Sequence, residues 1–310
     1  MNRAEEDRLE FREEEEIMFI DVVMQRLNAA VLRGDEAAQH YLNMLKQAER
    51  FNVDNIANYI HETFLPEQDG PMDFDVPNEI PNIAPLADSM WFEMYGDLWE
   101  RDSRSRSGCL LVVSHDVKED GRDESIPEQA RWIVIATLFF WEENHFFIGT
   151  VCHGLAIGFD GKPIIVRALK SPFLSEKEQR DFQYDEELNN LNPCLMTALF
   201  AICFCHCKNI TVEAEKISRQ ARRAAERAKE PILTFKTINI HPVRKVMTEE
   251  GHVESQGIKR ALHICRAHFA HYTEEHPLFG KYAGTFYKPM HVRGSLKKGM
   301  VIKDYNIHEK

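Results

Sequence analysis

Between Cys109 and Leu169 the chain strings together apolar, β-branched and aromatic segments, with no helical pattern between them. The runs Cys109 to Ser114, Trp132 to Trp141, Phe146 to Phe159 and Pro163 to Leu169 each have the length of a strand, with glycines and the charged stretch His115 to Glu128 as punctuation. Asp160-Gly161 has hairpin-turn chemistry, because glycine adopts positive φ without strain. Strands joined by short turns pair antiparallel, whereas parallel neighbours need long crossovers. The segment therefore predicts an antiparallel meander and argues against a doubly wound sheet. No run reaches the roughly 20 apolar residues of a membrane helix.

Before this region the pattern is helical. Ile17, Ile20, Val23, Met24, Leu27, Val31 and Leu32 recur near helical spacing. Gly34-Asp35 marks a turn into a second helix over Ala37 to Phe51, and Asp54 to Phe64 gives a third, begun by an Asp cap. The acidic run Glu13 to Glu16 suits a solvated helix entrance, or a positively charged partner. Five prolines between Pro66 and Pro85 read as a linker or long surface loop. The aromatic stretch Met90 to Trp99 reads as an arm docked on the main domain, or a helix contacting a partner. The expected organisation is an acidic helical arm over 1–64, a linker and docking segment over 65–104, and an α+β main domain over 105–300, built on a largely antiparallel sheet of mixed topology. Pro193 predicts the first turn of a helix over Cys194 to Phe204, and Asn209 to Val212 and Ile232 to Ile240 read as strands. Glu213 to Glu230 is helical in pattern and repeats Arg219, Arg223 and Arg227 every four residues, a solvated face or a phosphate-tracking one.

Seven cysteines, an odd number set mostly among apolar neighbours, point to reduced thiols and a cytoplasmic setting. The first residues lack the basic-then-apolar order of a secretion signal. Cys203, Cys205 and Cys207 flank His206 without the two-residue gaps that let paired cysteines surround zinc, so they read as buried free thiols. Glu142 and Glu143 beside His145 suit a turn as well as a metal. No metal site and no cofactor is expected, and no glycine-rich nucleotide loop is visible.

The chain carries a formal charge of −12, which opposes nonspecific attraction to nucleic acid but leaves room for a local basic site. From His241 to Gly299 it holds seven of the fourteen histidines and a local basic excess. The densest stretch is Leu262 to Tyr272. As one strand it would set Ile264, Arg266 and His268 on one side and Cys265, Ala267 and Phe269 on the other. As a helix it would group His263, Arg266 or Ala267, and His271. Gly257 and the sheet-like pieces that follow favour the strand. Arg266 and His268 would then form a compact donor pair, completed by His291 and Arg293 if the two segments meet. Such a cluster binds phosphate, with His268 and His291 as proton-transfer groups and the arginines meeting charge on phosphoryl oxygens. Tyr272 and Tyr287 are candidates for stacking bases, with anchoring of a small sheet as the competing role.

The blocks Asn192-Pro193, Phe204 to Ile210, Leu262 to Phe269, Pro277-Leu278-Phe279-Gly280, Gly284-Thr285-Phe286-Tyr287 and His291-Val292-Arg293-Gly294 resemble an uncharacterised family of bacteriophage and prophage proteins over residues 190–294. Ala267 stands where many similar proteins carry a glycine, which argues against a glycine-specific phosphate loop. The resemblance implies a phage or mobile-element origin and action in the host cytoplasm, and it transfers no catalytic roles. The leading expectation is a nucleic-acid-binding protein acting on RNA or DNA, with metal-independent processing as its extension. The alternative is a noncatalytic regulator or inhibitor that binds a host protein through the acidic helical arm.

Overall fold

The computed structural model describes residues 18–64, 80–95, 105–114, 127–142, 145–174, 192–216, 219, 223, 227, 234–240, 261–265, 268–288, 291–293 and 295–300. It shows a mixed α+β fold with an N-terminal helical region and a large sheet of mixed topology. Two compact units divide the chain: residues 1–203 with 212–238, and residues 204–211 with 239–310.

The first unit is built on a nine-stranded sheet. Its meander runs through β2 (Ser89–Tyr95), β3 (Arg106–Ser114), β4 (Ala130–Glu142), β6 (Val151–Gly158) and β7 (Pro163–Lys170), and every adjacent pair is antiparallel. The short β5 (His145–Ile148) folds back on the end of β4, with Glu142 opposite His145. That pairing makes the Glu142 region a hairpin end. Asp160 and Gly161 turn β6 into β7, Gly161 at φ +80°. On the other side of β2 lies β1 (Glu49–Asn52), parallel both to β2 and to β9 (Phe235–Ile240), and β8 (Ile210–Ala214) closes the order.

Two elements depart from the pattern reading. The helix expected to run to Phe51 stops at Gln47, and Glu49–Asn52 is an interior strand flanked by β2 and β9. The aromatic stretch from Met90 is neither a docked arm nor a helix as far as Tyr95: it is strand β2, with Met90 to Met94 buried. Both strands fall in the segments expected as arm and docking segment, and both pair within the sheet. Glu213 and Ala214, expected in a helix, end β8; of the rest of that stretch the described residues are Glu215 and Lys216, in neither helix nor strand, and Arg219, Arg223 and Arg227, helical and exposed.

Helices α1 (Phe19–Val31) and α2 (Glu36–Gln47) lie on one sheet face. Phe19, Ile20, Val23 and Leu27 from α1 and Ala38, Leu42 and Leu45 from α2 join Trp91, Leu110, Phe139 and Trp141 of the strands in one core. Each large apolar side chain among them contributes about 1.5–3 kcal/mol on full burial. Asp35 caps α2 by accepting from Ala38 N at 2.9 Å, after the turn at Gly34. Helix α1 has no capping side chain of its own at Met18. Its cap comes from the sheet: the Glu93 carboxylate of β2 accepts from Phe19 N at 2.8 Å and Ile20 N at 3.1 Å, and also from Trp91 Nε1 at 3.0 Å.

Alternation along β3 turns Cys109 to the opposite face from Leu110. There its thiol lies near Cys194 of α4 (Pro193–Cys205), a helix buried over most of its circumference, and burial first and these neighbouring thiols second push the Cys109 thiol well up. Helix α3 (Asp54–Phe64) follows β1, and its first residue spends its carboxylate on Tyr95 N at 2.6 Å, not on its own helix. Between α2 and the sheet, Tyr41 and Thr137 hydroxyls meet at 3.0 Å, and burial pushes the Tyr41 phenol up to about 12. No helix among the described residues is long and apolar enough to cross a membrane.

Glu93 is 1% exposed, and burial outweighs its three donors and Arg106, so its carboxyl sits above the ordinary 4.5. Such a group binds its proton more tightly folded than unfolded. Its contribution to stability is fully present below the unfolded value and is lost as pH rises through the raised one. Glu93→Gln removes that titration and turns an amide toward N–H donors, a loss of about 1–3 kcal/mol. Urea unfolding should give a wider gap between wild type and variant near pH 4.5 than near pH 7; a gap independent of pH would contradict the raised carboxyl. Gly108, paired with Glu93 across β2 and β3, lies under the Trp91 ring, which a Cβ there would overlap. Gly108→Ala should therefore cost about 1–3 kcal/mol by overpacking. A Trp91→Leu background should relieve most of that cost, and simple additivity of the two losses would reject the clash as its cause.

Candidate nucleic-acid interface

The second unit is where the histidine-rich segment folds. Strand β10 (Ala261–Cys265) pairs antiparallel with β13 (His291–Arg293), in the register His263 to Arg293, Ile264 to Val292 and Cys265 to His291. Strand β11 (His268–Tyr272) pairs antiparallel with β12 (Gly284–Lys288), from His268 opposite Lys288 to Tyr272 opposite Gly284. Two residues separate Cys265 from His268, and two separate Lys288 from His291. The two ladders keep the same pairing offset but belong to different sheets, β10 and β13 to one and the two-stranded ribbon of β11 and β12 to another; the residues between them lie outside the described ones. Strand β14 (Ser295–Met300) adds to β10 on its other side, parallel and with one register shift.

The expected single strand over Leu262 to Tyr272 is thus two strands with different partners. Arg266 lies outside the described residues, so the proposed alternation of Arg266 with His268 is not placed. The segments that carry His263, His291 and Arg293 do meet, rung by rung. His268 is exposed and stands opposite Lys288, a residue that composition and spacing alone did not single out. Equal two-residue spacings on the two chain segments were the available signal for it.

What holds the ribbon is aromatic. Phe269 and Tyr287, opposite each other on β11 and β12, pack against Phe204 near the end of α4, with centroid separations of 5.5 Å for Phe204–Phe269 and 4.7 Å for Phe204–Tyr287. Tyr287 is 0% exposed. It is an internal anchor that offers no face to a base, which corrects the stacking role expected for it. Asn209, also buried, works as a substitute strand residue: its Nδ2 donates to Tyr287 O at 2.8 Å and its Oδ1 accepts from Tyr287 N at 2.9 Å. Lys208 N donates to Thr285 O at 2.9 Å beside it. Neither residue stands out in the sequence, because their partner lies far along the chain.

A second cluster closes the turn end of the ribbon, where Leu278 and Phe286 are buried against Tyr272 and Tyr282. Tyr272 is half-buried; the Lys288 ammonium lies 5.0 Å from its ring centroid and donates to its hydroxyl. His271 Nδ1 and Thr285 Oγ1 are 3.1 Å apart at the surface. Between Leu278 and Tyr282 the chain turns through Phe279 at φ +55° and Gly280 at φ +74°, with Lys281 N donating to Leu278 O at 3.2 Å. Two consecutive left-handed residues define the type I′ turn, for which Asn-Gly is the usual choice. A side chain other than glycine there costs roughly 1–2 kcal/mol.

Charge is divided sharply between the units. Residues 204–211 and 239–310 hold 13 Lys and Arg against 7 Asp and Glu, a formal +6; the other unit holds 25 against 43, a formal −18. Exposed His268, His271, His276, Lys208 and Lys281 lie in the positive unit. Cys203, Cys205 and Cys207 stand around the end of α4 as thiols outside any disulfide, and among the described residues no three His, Cys, Asp or Glu side chains are grouped to hold a metal ion. Among the described residues, exposed His268 stands opposite Lys288 on the β11–β12 ribbon, with exposed His271, His276, Lys208 and Lys281 in the same unit. No protein-family model, curated protein or solved structure matches the chain.

Asn209→Ala leaves the Tyr287 amide and carbonyl buried without their partner, at about 1–3 kcal/mol for each unsatisfied group. Hydrogen exchange should show faster opening at Tyr287 and Thr285, with the β3–β4 amides unchanged. Equal acceleration in both units would show that Asn209 supports the whole fold and not the ribbon.

Proposed function

We propose that the protein binds nucleic acid, RNA or DNA, through the ribbon of its second unit. The observation that carries this reading is that each of the two cationic stretches pairs with the other, β10 with β13 and β11 with β12, in a unit of formal charge +6. Polyanion binding rests on neutralising phosphates with such groups, and bound counterions are released in proportion. Arg293, Lys288, Lys208 and, outside the described residues, Arg266 are the phosphate-binding side chains in this reading. His268 and His291 are the proton-transfer groups if the bound strand is cut, since a neutral imidazole can accept the proton of a 2′-hydroxyl. On the resemblance over residues 190–294, the setting is a phage or mobile element in the host cytoplasm.

The alternative, a regulator that docks a host protein through the N-terminal helices, draws support from the −18 of the first unit. Helices α1 and α2 spend their apolar stripes on the sheet beneath them, so a partner would have to use their polar outer faces.

Fluorescence anisotropy with labelled oligouridylate and oligothymidylate tests the main reading on the full chain. Affinity should fall steeply with salt. Lys288→Ala and Arg293→Ala should each flatten the slope of log affinity against log salt, by about 0.7 for every phosphate left without its cation. Wild-type protein that binds neither oligonucleotide at low salt would refute the proposal. Cleavage is scored separately: labelled RNA trimmed by wild type in the presence of EDTA but spared by His268→Ala assigns processing, and intact RNA throughout confines the protein to binding.

A further inference from the structure

The motif Pro277-Leu278-Phe279-Gly280 makes a turn, yet its third residue is built as an outward-facing aromatic. Phe279 is 72% exposed, among the largest exposures of any big apolar residue described. Its neighbours on both sides face inward: Leu278 is buried and Tyr282 packs with it against Tyr272 and Phe286, a cluster in which Phe279 takes no part. Leu278 N and Tyr282 N each pair with the other residue's carbonyl, at 2.8 and 3.1 Å, so the foot of the turn is fixed. Phe279 holds φ +55°, where asparagine or glycine would sit without strain. Neither burial nor turn chemistry accounts for a phenyl ring at this site. Strained positions of this kind gather where a ligand is met.

The surroundings select the ligand. Lys281 adjoins the turn and is exposed, Lys208 is exposed near Gly284, and the unit as a whole is positive. An aromatic ring beside cations on a positive surface is the pairing that proteins use for unpaired bases: the ring stacks on the base while ammonium groups meet the phosphates. A base within a duplex is already stacked on both sides and offers no face to such a ring. Building on the nucleic-acid reading above, we propose that Phe279 is a stacking platform for an unpaired base, so that the unit takes single-stranded nucleic acid in preference to duplex.

The test uses the full chain with labelled oligouridylate of about 20 nucleotides, longer than most single-strand sites, and an RNA duplex of equal length. Phe279→Asn gives the turn a residue it favours, so thermal melting should show the variant at least as stable as wild type. Its affinity for the single strand should drop about 10- to 100-fold, the usual worth of one base–aromatic stack. Phe279→Trp should restore that affinity. The salt dependence should stay as in wild type, because every phosphate keeps its cation, and weak duplex binding should not change. Single-strand affinity unaltered in Phe279→Asn overturns the inference, and so does an equal loss for both probes. Wild type that binds neither probe overturns the nucleic-acid reading itself, and this inference with it; the two failures are told apart by wild type alone.

Discussion

A carboxylate enclosed in the sheet is the hinge of the first unit. Taking Glu93 out of water is costly, and its donors offset that cost only in part, which leaves the carboxyl raised. The donors come from two places, the first two amides of α1 and the indole of Trp91 on its own strand, with the charge of Arg106 added to them. Arg50 on β1, itself buried and with its guanidinium held down by desolvation against Asp21 and Glu93, joins the same polar island. Because the N-terminus of α1 is satisfied by a strand more than seventy residues away, the helix has a complete hydrogen-bond account only once the sheet exists. Trp91, fixed by its bond to Glu93, then dictates the absence of a side chain at position 108. One ionisable group thereby sets the helix start, the ring position and a glycine requirement together.

The same island explains what the sequence concealed. Strands β3, β4 and β7 were legible because each is an apolar run bounded by turn chemistry, the run read from Phe146 to Phe159 divides into β5 and β6, and Pro193 announced α4 at its first residue. Strands β1 and β2 were not. Arg50 and Glu93 are charged residues at positions a strand reading assigns to the core, and nothing local tells that the partners of Glu93 are amides and an indole supplied elsewhere in the fold. Interior strands flanked on both edges also lose the period-of-two pattern: Met90 to Met94 are all buried, Glu93 included. A four-residue strand directly after a helix continues the helical spacing by chance, so Ala37 to Phe51 read as one element.

In the second unit, composition showed the place but not the geometry. The density of histidine and arginine drew attention to residues 262–293, which were expected inside one main domain over 105–300 and fall in the separate second unit. Which side of the ribbon forms the core depends on Phe204 and Asn209, more than sixty residues away from Tyr287 in sequence. Without that knowledge Tyr272 and Tyr287 look equivalent. In the fold one is half-buried beside Lys288 and the other is sealed inside. Phe279 was hidden for the opposite reason: an apolar residue in an apolar motif is ordinarily read as core, and only the positive φ of the turn shows that its side chain leaves the cluster.

Net charge is therefore a poor guide to what this chain attracts. At physiological ionic strength the Debye length is about 8 Å, so an exposed phosphate responds to charges within a few residues of it and hardly to the total. A chain at −12 overall can hold a polyanion if its cations are gathered, and here +6 falls on 80 residues while −18 is spread over 230. On the proposed reading, a bound strand would meet its cations and the ring of Phe279 within the second unit alone. If that proposal holds, stacking and strand register, rather than bulk charge, would decide which nucleic acid stays bound.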